Sequence, residues 1–275
     1  MAYDLTSLQT TPVMRPPRIL LLGIHKVGKS RTAAGAPGPI FLPIKNEEGI
    51  DDLIGYNDMQ ATPVCDSLED SLGWLETLRT AEHNHATVVT DSASSLEPLL
   101  WETTIRRYNA TRTSKEPEAH SIDGVHGGYS KGYDEATLEW RTYLAALDRL
   151  RSERNMASII IGHVKTKQVV DPLLGPYDAF VFDIHHKAAD LLSRWADCIL
   201  FCNYKGAVTK EDIGFNKQQG RGIEIAPNQR FLYTQHRLSH PGGGRGVYGH
   251  LPYEIPLGWE HFIAAVNAAS KVVHA

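Results

Sequence analysis

The stretch RILLLGIHKVGKS, residues 18–30, places the pattern G-x-x-x-x-G-K-S directly after a short apolar run. The run RILLLG (18–23) predicts a buried strand, and KSRTAAGA (29–36) predicts a short helix that stops before PGP. A glycine-containing loop between a strand and a helix can turn its backbone amides inward around phosphates, at the positive end of the helix dipole. The alternative is a glycine turn without a ligand, which the flanking strand and helix disfavour.

The motif gives an expected role to each residue of this loop. Lys29 is expected to reach the β- and γ-phosphates of ATP, and Ser30 to bind Mg²⁺. Lys26 lies in the variable part of the pattern, so it is not the phosphate-binding lysine. The expected nucleotide-binding residues are Gly23, Ile24, His25, Lys26, Val27, Gly28, Lys29, Ser30 and Arg31.

Strands and helices alternate along most of the chain. Apolar runs predict further strands at 39–44, 86–92, 156–163, 198–204 and 229–236, and helical spacing predicts helices at 67–83, 96–108, 134–155, 183–197 and 259–273. This pattern predicts an α/β fold with a mainly parallel central sheet and helices on both faces. No repeat or domain-length linker divides the chain, so we expect a polar tail (1–17) followed by one domain (18–275).

Composition narrows the class of protein. The 275 residues are 42% hydrophobic and 22% charged, with a net charge of −4, so any contact with nucleic acid must come from a local basic patch. The apolar runs are too short to span a membrane, and the N-terminus does not resemble a signal peptide. The three cysteines, Cys65, Cys198 and Cys202, form no CxxC pair, which favours buried thiols in a reduced, cytoplasmic protein over a metal site.

Polar residues follow three of the predicted strands. Asp91 ends TVVTD and is expected to bind Mg²⁺ together with the P-loop, although a strand-ending Asp can also be a helix cap. Glu47 and Glu48 follow the second strand, and either could orient a water for hydrolysis unless both lie in a solvated acidic loop. His163 ends IIIGH and could contact the γ-phosphate, or it could be satisfied by a neighbouring loop. Carboxyl ends of parallel strands meet at one edge, where the P-loop lies.

Several blocks of sequence, taken in order, resemble a known family. They are GKSRTAAGAPGPIFLPIKNEEGIDDL, VVTDSASSLEPLLWE, GYSKGYDEATLEWRTYLAALDRLR, IIIGHVKTK, HHKAADLLSRWADCILFCNYK and RFLYT followed by LPYEIPLGW. From about residue 18 to 259 the chain is similar to phage-encoded RecA-like ATPases, the AAA-type ATP-binding proteins that include the Sak-group single-strand annealing proteins. The resemblance implies a RecA-like P-loop core that uses ATP and Mg²⁺ to act on single-stranded DNA in phage recombination or replication.

The resemblance also implies roles for single residues. It selects Glu47, with Glu48 beside it, as the catalytic glutamate, which joins Lys29 and His163 in the expected catalytic set. Asp91 corresponds to the magnesium-linked acid, and His163 to the polar residue that ends the strand between the P-loop strand and the acid strand.

Basic residues outside the P-loop are candidates for contacts with DNA and with a second subunit. Lys165 and Lys167 follow His163, where RecA-like folds carry a DNA-binding loop, and the segment 203–245 has seven basic and three acidic residues. The chain reads GGGRGVYGHLP where relatives often read KNRYGLP. Arg245 therefore stands roughly where the family has a lysine. In RecA-like filaments a cation in this region can contact the ATP bound to the neighbouring subunit. Arg237 is the second candidate for that role in a homo-oligomer.

Two functions compete at this point. The first is an ATPase that assembles on single-stranded DNA, for which the resemblance also allows a single-strand DNA-binding protein as partner. The second is a nucleotide-gated protein-interaction module that does not bind DNA. A hexameric helicase motor is disfavoured, because 275 residues leave no room for a second motor domain.

Overall fold

The computed structural model describes residues 15–47, 49–212, 218–224 and 228–273, with side chains described except at 207–212, 218–224 and 273. The strands are β1 (Arg18–Gly23), β2 (Pro39–Pro43), β3 (Gln60–Ala61), β4 (Thr87–Asp91), β5 (Ala157–Asp171), β6 (Gly175–Phe182), β7 (Cys198–Tyr204), β8 (Gly206–Asp212), β9 (Gln218–Glu224), β10 (Arg230–Tyr233), β11 (Gly243–Gly244) and β12 (Glu254–Pro256). The helices are α1 (Lys29–Ala34), α2 (Leu68–Thr80), α3 (Ala93–Thr111), α4 (Lys131–Glu153), α5 (His186–Trp195) and α6 (Trp259–Val273).

A mostly parallel sheet organises the molecule. Its main strands run in the order β12-β10-β7-β1-β5-β4-β2-β3, and those from β7 to β3 are parallel. The predicted mainly parallel α/β sheet is confirmed. One strand, β5, separates the P-loop strand β1 from the acid strand β4, as the resemblance to RecA-like cores implies.

The sheet is buried on both faces, which explains why its strands are almost uniformly apolar. In β1, Leu20 and Leu22 pack in the hydrophobic cluster beneath α2, α3, α4 and α5, whereas Ile19 and Leu21 pack in the cluster that includes residues of α1 and α6. Cys198 and Cys202 share the second cluster, and all three thiols are buried. Across the described residues, none of the helices is long and apolar enough to cross a membrane.

The main correction concerns β5, which does not end at His163. Its parallel pairing with β1 ends there, but the strand continues to Asp171 and forms an antiparallel hairpin with β6, where no strand was predicted. The extension carries the exposed polar residues of KTKQ, residues 165–168, which lack the apolar run typical of a buried strand. The hairpin therefore extends beyond the carboxyl-terminal edge of the parallel sheet.

Ion pairs join the opposite, amino-terminal edge of the sheet. Arg18 donates to Asp197 from Nη2 at 2.9 Å, and Arg151 donates to the same carboxylate at 2.9 Å. These contacts tie the start of β1 and the end of α4 to the residue before β7. The arrangement is structural, since it lies at the edge away from the P-loop.

Candidate nucleotide-binding site

Two glycines shape the loop between β1 and α1. A Cβ at Gly23 would lie 2.5 Å from the carbonyl oxygen of Cys202, so only glycine fits where β1 passes β7. Gly28 has a φ of 106° and caps the N-terminus of α1, a left-handed conformation that favours glycine. The loop therefore leads the backbone directly into the N-terminus of α1, the arrangement that phosphate binding requires.

The two lysines of the loop differ in environment, as the motif predicts. Lys29 is buried, and its Nζ donates to the carbonyl oxygens of Gly23 at 3.0 Å and Ile24 at 2.8 Å. Burial lowers the pKa of the Lys29 ammonium, an effect that Cys202, Asp91 and Glu47 partly oppose. Lys26, by contrast, is exposed.

Ser30 and Asp91 meet at the base of the loop. The Ser30 hydroxyl donates to Oδ2 of Asp91 at 2.7 Å, and burial raises the pKa of Asp91 to about 6. Once ionised, the Asp91 carboxylate, together with the Ser30 hydroxyl, provides oxygen ligands of the kind that Mg²⁺ prefers. The residues present therefore fit the predicted magnesium site.

Glu47 is held by three donors that converge on one oxygen. Its Oε1 accepts from Ser92 Oγ at 2.6 Å and Ser95 Oγ at 2.9 Å, and it lies 3.2 Å from Nε2 of His163. Burial would raise the pKa of Glu47, but these hydrogen bonds outweigh it and lower the pKa to about 2. Glu47 is therefore ionised at neutral pH, and Oε2 is the oxygen that could accept a proton from water.

His163 links Lys29 to this glutamate. Its Nδ1 lies 3.4 Å from Nζ of Lys29, which can only donate, so Nδ1 accepts and Nε2 carries the proton shared with Glu47. The ring of His25 stacks on His163 with centroids 4.2 Å apart, and His163, more than burial, lowers the pKa of His25. The structure thus brings Lys29, Glu47 and His163 together at the edge where the sequence predicted them.

A match to a known protein family agrees with this arrangement. A family model described as AAA domain (AAA_24) matches residues 15–246. The chain belongs to this AAA-domain family. No curated protein matches the chain significantly. Among solved structures, the chain is similar to the crystal structure of the RadB recombinase, with 12% identity, a TM-score of 0.40, and coverage of 83% of this chain and 84% of that chain. By this family match and its loop geometry, the protein is a P-loop protein of the AAA kind.

The AAA domain uses residues at this site that sequence reasoning missed. Ser92 caps α3 by accepting from the amide of Ser95 at 3.3 Å, and the hydroxyl of Ser94 accepts from the amide of His163 at 3.1 Å. The letters DSASS after Asp91 are a recognisable helix-start signal, but their contacts with Glu47 and His163 depend on the fold. Arg230, which the sequence placed only among the basic residues of 203–245, lies at the P-loop, where its Nη1 donates to the carbonyl of Val27 at 3.2 Å.

A hollow of about 400 Å³ opens over these residues, and we call it the P-loop hollow. It is lined by His25, Lys26, Gly28, Lys29, Ser30, Arg31, Glu47, Gly49, Asp52, Leu53, Asp91 and His163. Most of the predicted nucleotide-binding residues and all of the predicted catalytic and metal-binding residues thus face one space. Glu48 lies outside the described residues, so the choice between the two glutamates stays a prediction.

The two predicted trans-acting arginines of the AAA domain lie elsewhere. Arg245 follows β11, which pairs with the start of β7, and its Nη1 is 3.9 Å from Oδ1 of Asp197 at the amino-terminal edge of the sheet. It therefore cannot reach the nucleotide site of its own subunit. Arg237 is exposed, with its guanidinium 4.3 Å from the ring centroid of Tyr253. A role on a neighbour's ATP requires an assembly and stays a prediction for both.

Lys165 and Lys167 lie on the part of β5 that extends past His163. Both are exposed, and Lys165 forms an ion pair with Oδ1 of Asp183 at 2.8 Å. Residues two apart on a strand face the same side, and both lysines line a second, larger hollow of about 620 Å³. Of the basic residues in 203–245, Lys217 lies outside the described residues, and the side chains of Lys210 and Arg221 are not described.

Proposed function

We propose that this AAA-family protein hydrolyses ATP and binds single-stranded DNA, as a homo-oligomer that supports phage-type recombination by strand annealing, or replication. The observation that carries the proposal is the continuity of β5. His163 lies at the P-loop hollow, and the same strand then presents Lys165 and Lys167 to solvent. One rigid segment would therefore contact both the nucleotide and DNA.

The residues of the P-loop hollow have distinct parts in hydrolysis. The loop amides and Lys29 would bind the phosphates, and Ser30 and Asp91 would hold Mg²⁺. When bound, Mg²⁺ would supply positive charge to the phosphate oxygens. Glu47 would orient the attacking water through Oε2, and a pKa of about 2 keeps it ionised for that role.

The hydrogen bonds around His163 would make the site responsive to the nucleotide. In the structure Lys29 donates to two backbone carbonyls and contacts His163. If Lys29 turned toward phosphate, His163 would lose that donor while keeping its contact with Glu47. A shift of His163 would move Lys165 and Lys167 with it, so the nucleotide state would alter DNA affinity. Linkage then requires DNA to alter ATP affinity by the same factor.

The second candidate function is a nucleotide-gated protein-interaction module. It is favoured by the tip of the β5–β6 hairpin, where Val170, Leu173 and Leu174 are all exposed, Leu173 to 93%. Exposed apolar side chains at a hairpin tip are typical of a surface that contacts another molecule. In this case ATP would move the hairpin against a protein, and DNA would have no effect.

A binding experiment separates the two functions. Fluorescence anisotropy of a labelled single-stranded oligonucleotide is measured across salt with an ATP analogue, with ADP and without nucleotide, beside the ATPase rate. We expect tighter binding in one nucleotide state and a DNA-dependent rate. Lys165→Ala with Lys167→Ala should reduce the slope of log affinity against log salt by about 1.4, at about 0.7 per phosphate contact for single strands.

The matched control is Lys115→Ala with Lys271→Ala, which removes the same charge from two exposed lysines that line neither hollow. It should leave the salt slope near that of the unmodified protein. If the protein does not bind the oligonucleotide at low salt and its ATPase rate does not change when DNA is added, the DNA function is rejected in favour of the interaction module.

A further inference from the structure

The larger hollow has no part in the P-loop chemistry, and we call it the α3 cavity. Its volume is about 620 Å³, and its walls come from α3, the first turn of α4, the β5–β6 hairpin and the loop before α5. Ser94, in the first turn of α3, lines it and also accepts a hydrogen bond from the His163 amide. The cavity therefore lies directly beside the P-loop hollow, which His163 lines.

Aromatic rings form part of the cavity wall. Tyr133 and His185 stack with centroids 3.9 Å apart and an interplanar angle of 4°, and Trp101 meets Tyr133 edge-on at 5.6 Å. All three are partly exposed and line the cavity. A wall of flat, partly exposed rings suits a flat ligand, because offset and edge-on aromatic contacts are favourable.

A buried acid fixes the position of this wall. The amide of His185 donates to both oxygens of Glu97, at 3.0 Å to Oε1 and 2.8 Å to Oε2, and Glu97 is only 4% exposed. Glu97 thus holds the His185 loop against α3, which keeps the His185 ring on Tyr133. It is a positioning residue for the aromatic wall.

Cations form the rim on the hairpin side. Lys165 and Lys167 project from one face of β5, about 6.6 Å apart along the strand at about 3.3 Å per residue. That spacing is similar to the separation of consecutive phosphates in an extended single strand. Lys165 would exchange its ion pair with Asp183 for a phosphate.

We propose that the α3 cavity binds an unpaired nucleobase of single-stranded DNA. The base contacts the exposed parts of the Trp101, Tyr133 and His185 rings, face-on to one and edge-on to another, while the adjoining phosphates contact Lys165 and Lys167. The proposal rests on the DNA binding put forward above and adds a second mode of contact to it, since stacking does not depend on charge. A base within a duplex cannot enter the cavity without leaving its stack, so the cavity selects single strands.

The test compares three labelled 12-mers by anisotropy: oligo-dT, an abasic strand with the same number of phosphates, and a duplex. The unmodified protein should bind oligo-dT most tightly. Trp101→Leu with Tyr133→Leu should weaken oligo-dT binding about ten-fold or more, the range for loss of base stacking, and leave abasic binding unchanged. Far-UV circular dichroism checks that this variant folds.

A conservative variant gives a readout that does not depend on the double substitution. The chain has five tryptophans, so oligo-dT quenching is measured for the unmodified protein, for Trp101→Phe, and for Trp74→Phe on α2 as control. Quenching should fall in Trp101→Phe and persist in Trp74→Phe.

The outcomes separate the two proposals. Equal binding of oligo-dT and the abasic strand, with quenching unaltered by Trp101→Phe, would overturn the base site and leave DNA binding through phosphates standing. If neither strand binds at low salt, the DNA function fails and the base site fails with it.

Discussion

The P-loop hollow and the α3 cavity lie side by side, yet they are encoded in different ways. The phosphate-binding part of the P-loop hollow comes from one continuous stretch, residues 23–31, whose glycine and lysine spacing is visible in the sequence. The α3 cavity combines residues from four separated segments and has no spacing pattern. A site that binds its ligand through backbone amides, as a phosphate-binding loop does, is encoded by a short motif in one stretch of sequence. A cavity formed by side chains from different helices and strands has no such motif.

The first turn of α3 joins the two sites. Ser92 and Ser95 contact Glu47, whereas Glu97 and Trp101 belong to the α3 cavity. Neighbouring residues of one helix therefore serve two sites with different ligands. The following experiments test whether the sites differ in function as their construction suggests.

Lys29→Ala should give the largest effect. Removing the ammonium from the P-loop hollow should lower ATP turnover by about a thousand-fold, because it removes the charge that meets the β- and γ-phosphates. The measurement is phosphate release by a variant that melts near the unmodified protein. Lys115→Ala is the matched control, since Lys115 is exposed and lines neither hollow, and its turnover should change little. Normal hydrolysis by a folded Lys29→Ala variant would reject the P-loop assignment.

Glu47→Gln should slow hydrolysis by about a hundred-fold while leaving ATP binding intact, because an amide cannot act as a base toward water. Nucleotide binding is measured by fluorescent-analogue titration and turnover by phosphate release. Glu48→Gln is the comparison variant. If only that variant slows turnover, Glu48 is the catalytic glutamate.

Glu97→Gln should change how stability depends on pH, because burial raises the pKa of Glu97 to about 7, well above that of an exposed glutamate. The folded state then binds the proton more tightly than the unfolded state, so the unmodified protein loses stability as pH rises through this window. The variant has no carboxyl group at this position to titrate. Its free energy of unfolding, taken relative to that of the unmodified protein, should therefore rise by up to about 3 kcal/mol between about pH 5 and about pH 8.

Urea titrations at the two pH values measure the effect. Glu102→Gln, an exposed glutamate on the same helix, should show no such gain. The same pH dependence in both variants would contradict the role of burial at Glu97.

His163→Ala should give the smallest effect, a loss of coupling rather than of binding. The variant should still bind ATP, but the difference in DNA affinity between the ATP-analogue and ADP states should fall by about five-fold or more. Anisotropy in each nucleotide state measures it, with the exposed His120→Ala as control. If the difference in DNA affinity between the two nucleotide states is unchanged in His163→Ala, the coupling does not depend on His163.

Much of the fold could be read from the sequence because its strands are buried on both faces and its helices are amphipathic. Leu20 and Leu22 serve one face of β1 and Ile19 and Leu21 the other, which leaves a continuous apolar run. The hairpin strand after His163 could not be predicted, because its exposed polar residues carry no such run. The contacts of Ser92 and Ser95 with Glu47 depend on how close α3 comes to β2, and no local pattern encodes that distance.

Pro98 lies inside α3, between the serines that contact Glu47 and the aromatic residue Trp101. It has no amide hydrogen, so the carbonyl of Ser94 lacks the helical bond that residue 98 would otherwise supply. The first turn of α3 is therefore joined to the rest of the helix by one hydrogen bond fewer than a regular helix would have. A change in the angle of the first turn at the P-loop hollow would therefore break fewer helical hydrogen bonds at Pro98 than elsewhere in α3, and Trp101, which lies beyond Pro98, would keep its place on the packed body of the helix.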